Sequence, residues 1–324
     1  MKFLLISIAI ALAFIIGANK TFIKASKIRI SAIIILSIAV LAINIIPEIH
    51  TDIRSATHLI QIGYTGEIPI LLSNDSDIQQ LRSNKTLSQQ NLIFSLPQGT
   101  QYQNENLIIV RPQSKTTATI IEAKQSNITF AFPFIPGLEA HIRLFPFHVS
   151  SAWIALLGFL MSLYYSIQFL RKNDQHFDHK AFVAAKYGFI SSIAATILGM
   201  IWAKHSWGSY WNWDPRELSI FILLSIYLAY FILRQSIANP RKKARFSAVY
   251  SIFAGASAPF FIFIIPRITS GLHPGSTDDP SSPIISQNQS ILNTELFIVF
   301  CATLFVFTLI FLYFFHRELE KKSS

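Results

Sequence analysis

Several features that most soluble proteins possess are scarce in this chain of 324 residues. Charged residues make up only 14% of it, whereas they make up about 25% of a typical soluble domain. There is a single cysteine, Cys301, which excludes an intrachain disulfide and a Cys-x-x-Cys redox pair. The motif Cys-x-x-Cys-His is also absent, so the chain is not itself a c-type cytochrome.

Long apolar runs take the place of the missing charges. Low charge with repeated apolar runs is typical of an integral membrane protein. We predict an all-α polytopic membrane protein with a small β-rich extracytoplasmic insertion. Its seven predicted transmembrane helices are residues 3–18, 30–46, 148–170, 181–203, 218–233, 246–265 and 294–315. Because the first run is short and follows Lys2, a signal peptide is the alternative there.

The basic residues predict the orientation of these helices. The formal charge is +10, and the basic side chains concentrate in short segments between the apolar runs. That distribution is the positive-inside pattern, and we therefore expect a membrane protein rather than a nucleic-acid-binding one. The basic segments 19–29, 171–180 and 234–245 are placed in the cytoplasm. The insertion, the aromatic loop described below and segment 266–293 are then all outside.

The chain divides into three predicted parts. Residues 1–47 contain two N-terminal transmembrane helices, 48–139 the insertion, and 140–324 a core of five membrane helices. The insertion is rich in Ser, Asn, Gln and Thr, and turn residues separate its short β-like runs. These predicted strands are residues 68–72, 91–95, 107–110, 116–123 and 128–132.

The most distinctive stretch is Trp207-Gly208-Ser209-Tyr210-Trp211-Asn212-Trp213-Asp214-Pro215-Arg216-Glu217, within a predicted loop at 205–217. Aromatic residues at membrane surfaces are usually scattered as belts. Four rings in one short loop instead predict a flat apolar platform suited to a large planar ligand. The alternative for its last four residues is an ordinary helix start, in which Asp214 and Glu217 only cap.

Two histidines are predicted on the same side of the membrane as this loop. His148 begins the third span and His273 lies in the last outer segment, one on either side of the aromatic stretch. Two imidazoles so placed could ligate the iron of haem, a flat ring. A lone histidine at a span end is more often only an interfacial residue. His205 could compete as a ligand, and the surface positions are His50, His58 and His141.

The aromatic stretch resembles the tryptophan-rich WWD motif of the haem-handling proteins of cytochrome c maturation, the CcmC and CcsA types. The resemblance covers roughly residues 142–275. The segments around His148 (His-Val-x-x-Ala-Trp) and His273 (Leu-His-Pro) resemble the outer histidine segments of the CcmC type. The string Trp-Gly-Ser-Tyr-Trp-x-Trp-Asp-Pro is closer to the CcsA type. Because no predicted span has a histidine in its interior, the CcmC type is favoured.

This resemblance implies a haem site. Its metal ligands would be His148 and His273, and the ligand would be haem b, bound transiently. The residues implied to line the haem are Trp207, Tyr210, Trp211, Trp213, Asp214 and Arg216. Candidates to pair the haem propionates are Arg216, Lys204 and Arg267, because charge-assisted contacts suit carboxylates.

The implied function is to hold haem on the outer face of the cytoplasmic membrane and deliver it for cytochrome c maturation. The partners would be a haem-acceptor chaperone or an apocytochrome c, other membrane subunits of the maturation system and the lipid bilayer. No conventional catalytic constellation is visible, which favours a haem chaperone or transport component over a self-contained enzyme. The alternatives are a CcsA-like component of a haem-ligating synthase and a carrier or receptor for another planar ligand such as quinone.

The orientation predicts the outcome of reporter fusions. A reporter fused after Lys243 should be cytoplasmic, and one fused after Asn84 should lie outside, because basic segments stay inside. Alkaline phosphatase and green fluorescent protein fusions at both positions measure this directly. Finding both positions on the same side would contradict the scheme.

Overall fold

The computed structural model describes residues 2–18, 26–45, 48–72, 93–95, 106–114, 117–127, 131–132, 134, 139–273, 276–277 and 294–321. The chain forms two compact units. Unit 1 comprises Met1–Leu41, Arg143–Gln287 and Val299–Ser324, and unit 2 comprises Ala42–Ile142 and Asn288–Ile298. The predicted turn at 97–99 lies outside the described residues.

In chain order the elements are α1 (Lys2–Ala18), α2 (Ser26–Ile45), β1 (Thr51–Asp52), α3 (Ile53–Gln61), β2 (Ile68–Leu71), β3 (Ile93–Ser95), β4 (Leu107–Pro112), β5 (Thr117–Lys124), a 3-10 helix (Glu139–Arg143), α4 (Leu144–Lys172), α5 (Gln175–Trp207), α6 (Pro215–Ser236), α7 (Pro240–Pro259), a π-helical segment (Phe260–Ile264), α8 (Ile265–Ile268) and α9 (Thr294–Glu320).

Among the described residues, five helices are long and apolar enough to cross a membrane. They are Glu139–Lys172, Gln175–Trp207, Pro215–Ser236, Pro240–Ile268 and Glu295–Glu320. Shorter apolar helices span Leu5–Gly17 and Ser31–Ile45. The predicted class, mostly helical with a small sheet, is confirmed, whereas the count of seven spans stays a prediction.

Small residues let α4 and α5 pack closely in unit 1. A Cβ atom at Gly158 would lie 2.7 Å from the Cα of Gly188 and 2.8 Å from the carbonyl oxygen of Ala184. Because those are backbone atoms, a side chain at position 158 would force the helices apart. Next to this contact, Phe159 stacks on Tyr227 of α6 with ring centroids 3.7 Å apart.

A buried ion pair connects α5 to α6 at the end opposite the aromatic loop. The guanidinium of Arg234 donates to both carboxylate oxygens of Asp178, at 2.7 and 2.6 Å. Both side chains are largely buried, and Arg234 also lies 4.9 Å from the ring centroid of Phe182. A two-bond geometry of this kind holds the two helices in one register.

Unit 2 contains a five-stranded sheet in the order β1-β2-β4-β5-β3. Strands β2, β4 and β5 pair antiparallel, and the flanking β1 and β3 pair parallel to their neighbours. Helix α3 packs Ala56, Leu59 and Ile60 against the sheet residues Ile68 and Ile70. The alternation of buried side chains along β2 follows from the two-residue repeat of a strand.

Four of the five predicted strands match β2 to β5. The fifth, residues 128–132, does not: residues 131 and 132 are not in a strand, and 128–130 lie outside the described residues. Strand β1 and helix α3 were not predicted from the sequence. The apolar spacing of Ala56, Leu59 and Ile60 indicates an amphipathic helix, but the helix has only 9 residues.

The prediction that His50 is a surface residue is wrong. Its side chain is buried, with 1% of its area exposed. It directly precedes β1, and its neighbour Ile49 packs against the core of unit 2. His141 is half-buried, and the side chain of His58 lies outside the described residues.

Candidate functional site

A cavity of about 310 Å³ lies within unit 1, among α4, α5, the start of α6 and the π-helical segment. Both predicted ligands, His148 and His273, line it, together with Trp211, Arg216 and Arg267. These residues come from three separate stretches of the chain, at position 148, at 211–216 and at 267–273. The fold therefore brings together side chains that are up to 125 residues apart, from His148 to His273.

His148 is held against α5 by one hydrogen bond. Its Nδ1 donates to the carbonyl oxygen of Ala195 at 2.9 Å. Because a carbonyl can only accept, this bond places the proton on Nδ1 and leaves Nε2 as the atom with a lone pair. Nε2 is therefore the atom of His148 that can bind a metal.

The His148 ring also needs a glycine beside it. A Cβ atom at Gly199 would lie 2.9 Å from Cε1 and 3.4 Å from Nδ1 of the imidazole. Any side chain at position 199 would therefore displace the ring from this position. Gly199 lies one helical turn beyond Ala195, so both contacts come from the same face of α5.

His273 is held by the carboxylate of Asp214. Its Nδ1 lies 2.8 Å from Oδ1 of Asp214, while Oδ2 accepts from the backbone N–H of Leu272 at 2.6 Å. A carboxylate orienting an imidazole through Nδ1 leaves Nε2 available, an arrangement common behind metal-binding histidines. A Cβ atom at Gly271 would lie 2.6 Å from Oδ2, so this approach also depends on a glycine.

Asp214 is anchored as an anion. Burial alone would raise the pKa of Asp214. The hydrogen bond from His273, the backbone N–H of Arg216, the electrostatic interaction with His273 and the backbone N–H of Leu272 outweigh burial and lower the pKa to about 2. Because 2% of its side chain is exposed, the charge depends on these donors rather than on water.

The helix-start reading of Asp214 and Glu217 is confirmed, and Asp214 does more than cap. Asp214 accepts from the N–H of Arg216 at 2.9 Å, and Pro215 occupies the first helical position. Glu217 accepts from the N–H groups of Asn212 and Asp214, at 2.7 and 3.3 Å, which completes a capping box. One carboxylate thus begins α6 and positions His273.

The four aromatic side chains do not form the flat platform predicted from the sequence. Trp211 lines the cavity, while Tyr210 and Trp213 are 55% and 68% exposed. The rings of Trp211 and Trp213 meet edge to face at 89°, as aromatic pairs often do. Trp207, the last residue of α5, contacts the ring of His273 edge to face at 4.6 Å.

Two other candidates do not line the cavity. The ammonium of Lys204 donates to the carbonyl oxygen of Gly208 at 2.8 Å and lies 5.6 Å from the ring centroid of Tyr210. His205 is exposed on the last turn of α5. Of the three predicted cations, the cavity therefore brings together Arg216 and Arg267.

Several cavity-lining residues were not predicted from the sequence. The π-helical segment contributes Phe261, Ile262 and Phe263, and α5 contributes small residues, Ser192, Ala195 and Gly199. The spacing of those small residues along one helical face was a usable signal. The π-helical segment had none beyond the prolines that flank it, Pro259 and Pro266.

A family model described as heme exporter protein C, CcmC, matches residues 118–324, well over half of the chain. The chain belongs to the CcmC family. The match contains all the cavity-lining residues named above.

Individual relatives agree with the family match. Heme exporter protein C of Rhodobacter capsulatus is 30% identical over 148 residues, 46% of this chain and 61% of the relative. The Paracoccus denitrificans protein of the same name is 30% identical over 138 residues, 43% of this chain and 57% of the relative. Cytochrome c biogenesis protein CcsA of Populus trichocarpa is 39% identical over 71 residues, 22% and 21% of the two chains. The chain thus spans about three fifths of the length of the CcmC relatives it matches.

The geometry at Asp214 predicts that the substitution Asp214→Asn lowers the stability of the folded protein. Asparagine still caps α6, but its NH₂ group replaces an oxygen that accepts from His273 or Leu272. We expect the free energy of unfolding to fall by roughly 1–3 kcal/mol, which is the scale of a buried hydrogen bond to a charged group. Thermal unfolding of the purified protein at neutral pH measures it.

The difference in stability between wild type and Asp214→Asn should shrink as the pH is lowered. The folded-state pKa of Asp214 is lowered, so its stabilisation is fully present above the unfolded value, about 4, and is lost as the pH falls towards about 2. The matched control is Asp174→Asn at the exposed N-cap of α5, where the side chain accepts only from the N–H of His176. If the two substitutions lowered stability equally, or if the effect of Asp214→Asn did not change with pH, the role of Asp214 in holding His273 would be refuted.

Proposed function

We propose that this chain binds haem at the cavity and delivers it for cytochrome c maturation. The observation that carries the proposal is the pair His148 and His273, which line one cavity with their Nδ1 atoms already engaged. Haem iron takes four nitrogens from its own ring and needs only axial ligands from a protein. Two imidazoles that each keep Nε2 available are the donor set such an iron accepts.

The remaining lining residues suit the rest of a haem molecule. Trp211 and the phenylalanines of the π-helical segment offer apolar contact to the macrocycle. Arg216 and Arg267 offer charged donors to the two propionates. The single cysteine, Cys301, lies on α9 outside these lining residues, so the haem would be a non-covalently held haem b.

Family membership supports the same conclusion. The family description and the two bacterial relatives carry the name heme exporter protein C, and the Populus relative is a cytochrome c biogenesis protein. We propose that this chain has the role that these names describe. Its immediate acceptor would be a haem chaperone or an apocytochrome c, reached together with other membrane subunits of the maturation system.

The proposed location is the outer face of the cytoplasmic membrane. The site residues cluster where α5 ends, α6 begins and α8 ends, which is one end of the helical bundle. The basic segments 171–180 and 234–245 occur at the opposite ends of the same helices. The positive-inside rule therefore favours an outer location for the site.

A CcsA-like role in a haem-ligating synthase is the second candidate, because the Populus CcsA shares 39% identity over 71 residues. It would require a partner that completes the synthase. Isolation of this chain with such a partner and with covalently modified cytochrome would favour it. The family model matches CcmC over a much longer stretch, which favours delivery over ligation.

Replacing the histidines tests haem binding. Purified protein should show a low-spin spectrum, and His148→Ala or His273→Ala should weaken haem retention or convert the iron to high spin, because one axial nitrogen is lost. Absorption spectra with and without reductant measure this. The matched control is His205→Ala on the last turn of α5, outside the cavity. An unchanged low-spin spectrum in the double variant would sink the proposal, and unimpaired binding of a quinone by that variant would favour a quinone carrier.

Two tryptophans of the loop should differ in their effect. Trp211→Ala should lower haem affinity by roughly 1–3 kcal/mol, because it removes a large apolar side chain that lines the cavity. Trp213→Ala should cost less, since its side chain is 68% exposed and reaches the cavity only through Trp211. Titration of each variant with haem gives the affinities. Equal losses would contradict the positions seen in the structure.

A further inference from the structure

Two lysines meet at one aromatic ring at the end of the bundle opposite the candidate site. Lys172 is the last residue of α4, and Lys180 lies in the second turn of α5. The ammonium of Lys172 lies 5.0 Å from the ring centroid of Phe177. The ammonium of Lys180 lies 5.6 Å from the same centroid and 5.5 Å from that of Tyr165, and attraction between a cation and a ring holds it there. We call Lys172, Lys180, Tyr165 and Phe177 the lysine cluster.

Neither lysine of this cluster forms an ion pair within the part of the chain that the structure describes. Three acidic side chains at this end of the bundle are already engaged: Asp174 caps α5, Asp178 binds Arg234, and Glu318 binds Lys186. The two ammoniums repel each other because both lie beside one ring. An anion between them would remove this repulsion.

The start of α7 brings further cations to the same place. Phe177 packs against a cluster that includes Ala244 of α7. The first turn of that helix contains Arg241, Lys242 and Lys243 and no acidic residue. The helix dipole opposes cations at this end, so their positions are unfavourable unless negative charge lies nearby.

The length of α5 indicates which anion is available here. The helix has 33 residues, which corresponds to about 50 Å at the rise of an α-helix. The hydrocarbon core of a bilayer is only about 30 Å thick, and charged side chains avoid it. The first turns of α5, with Phe177 and Lys180, therefore extend into the layer of lipid headgroups.

We propose that the lysine cluster binds the phosphate of an anionic phospholipid. The phosphate lies between the ammoniums of Lys172 and Lys180, and the start of α7 adds positive charge around it. Leu170 and Tyr164 are exposed on α4 next to this end and offer apolar area to the acyl chains, which a free phosphate would leave unused. With the orientation proposed above, this lipid belongs to the inner leaflet.

Native mass spectrometry of the purified protein in a neutral detergent tests this site. Wild type should bind dioleoyl phosphatidylglycerol more tightly than dioleoyl phosphatidylcholine, which carries no net charge. Lys172→Gln and Lys180→Gln should each reduce that preference about fivefold, and the double variant by about tenfold or more, because each cation near a headgroup contributes on this scale. Lys180→Arg should retain the preference, since it keeps the charge.

The matched control is Lys321→Gln, at the exposed end of α9 on the same side of the bundle, where the lysine interacts with Glu318. It removes one charge as well, but it should change the preference less than about twofold, because exposed charges away from the site are screened. If Lys321→Gln lowers the preference as much as Lys180→Gln does, the attraction is diffuse and the site is overturned.

Two further outcomes would also overturn the proposal. One is equal binding of the two lipids by wild type, and the other is an unchanged preference in the double variant. Inorganic phosphate distinguishes a lipid from a free anion. Added in place of chloride at the same ionic strength, it should not displace phosphatidylglycerol, and displacement would identify a free anion as the occupant and overturn the lipid site.

Discussion

The carboxylate of Asp214 fixes the geometry of the candidate site. It accepts hydrogen bonds from the N–H of Arg216, from the N–H of Leu272 and from the imidazole of His273. The first bond begins α6, and the other two join a segment 58 and 59 residues further along the chain to that helix start. Without an acceptor at this position, His273 would lose the hydrogen bond that orients its ring and would keep its edge-to-face contact with Trp207.

The second constraint is that two side chains of the site lie very close to backbone, which only glycine allows. The ring of His148 occupies the space beside Gly199, and the carboxylate of Asp214 occupies the space beside Gly271. In each case an imidazole uses Nδ1 to bind the scaffold and keeps Nε2 available. Neither glycine can be replaced by a larger residue without displacing its neighbour, because the packing leaves no free volume for an added methyl group.

Part of this arrangement could be predicted from the sequence. The Asp214-x-x-Glu217 pattern predicts a helix start from local chemistry alone, and the structure has that capping box. The alternation of apolar and basic segments placed both histidines at one end of the bundle. What could not be predicted depends on tertiary contacts: Oδ2 of Asp214 beside Gly271, the perpendicular rings of Trp211 and Trp213, and the buried His50. The sequence suggested a flat platform because it gives the number of rings and not their orientation. Ring orientation depends on backbone conformation, such as the positive φ of 55° at Trp213.

A site that bound and released a ligand repeatedly, as we propose, would benefit from side chains that are ordered before the ligand arrives. Each side chain proposed to touch haem iron is held by a contact that does not involve haem: His148 by Ala195 and Gly199, His273 by Asp214. The ordering of these groups therefore accompanies folding, and binding and release need not repeat it. If haem is the ligand, its release would require that His148 and His273 let go of the iron and that haem leave the cavity. The aromatic loop fits this view as part of the scaffold, since Trp207 supports the ring of His273 and only Trp211 lines the cavity. We therefore propose that the loop is dense in aromatic residues because it positions His273 through Trp207 and contacts a ligand through Trp211.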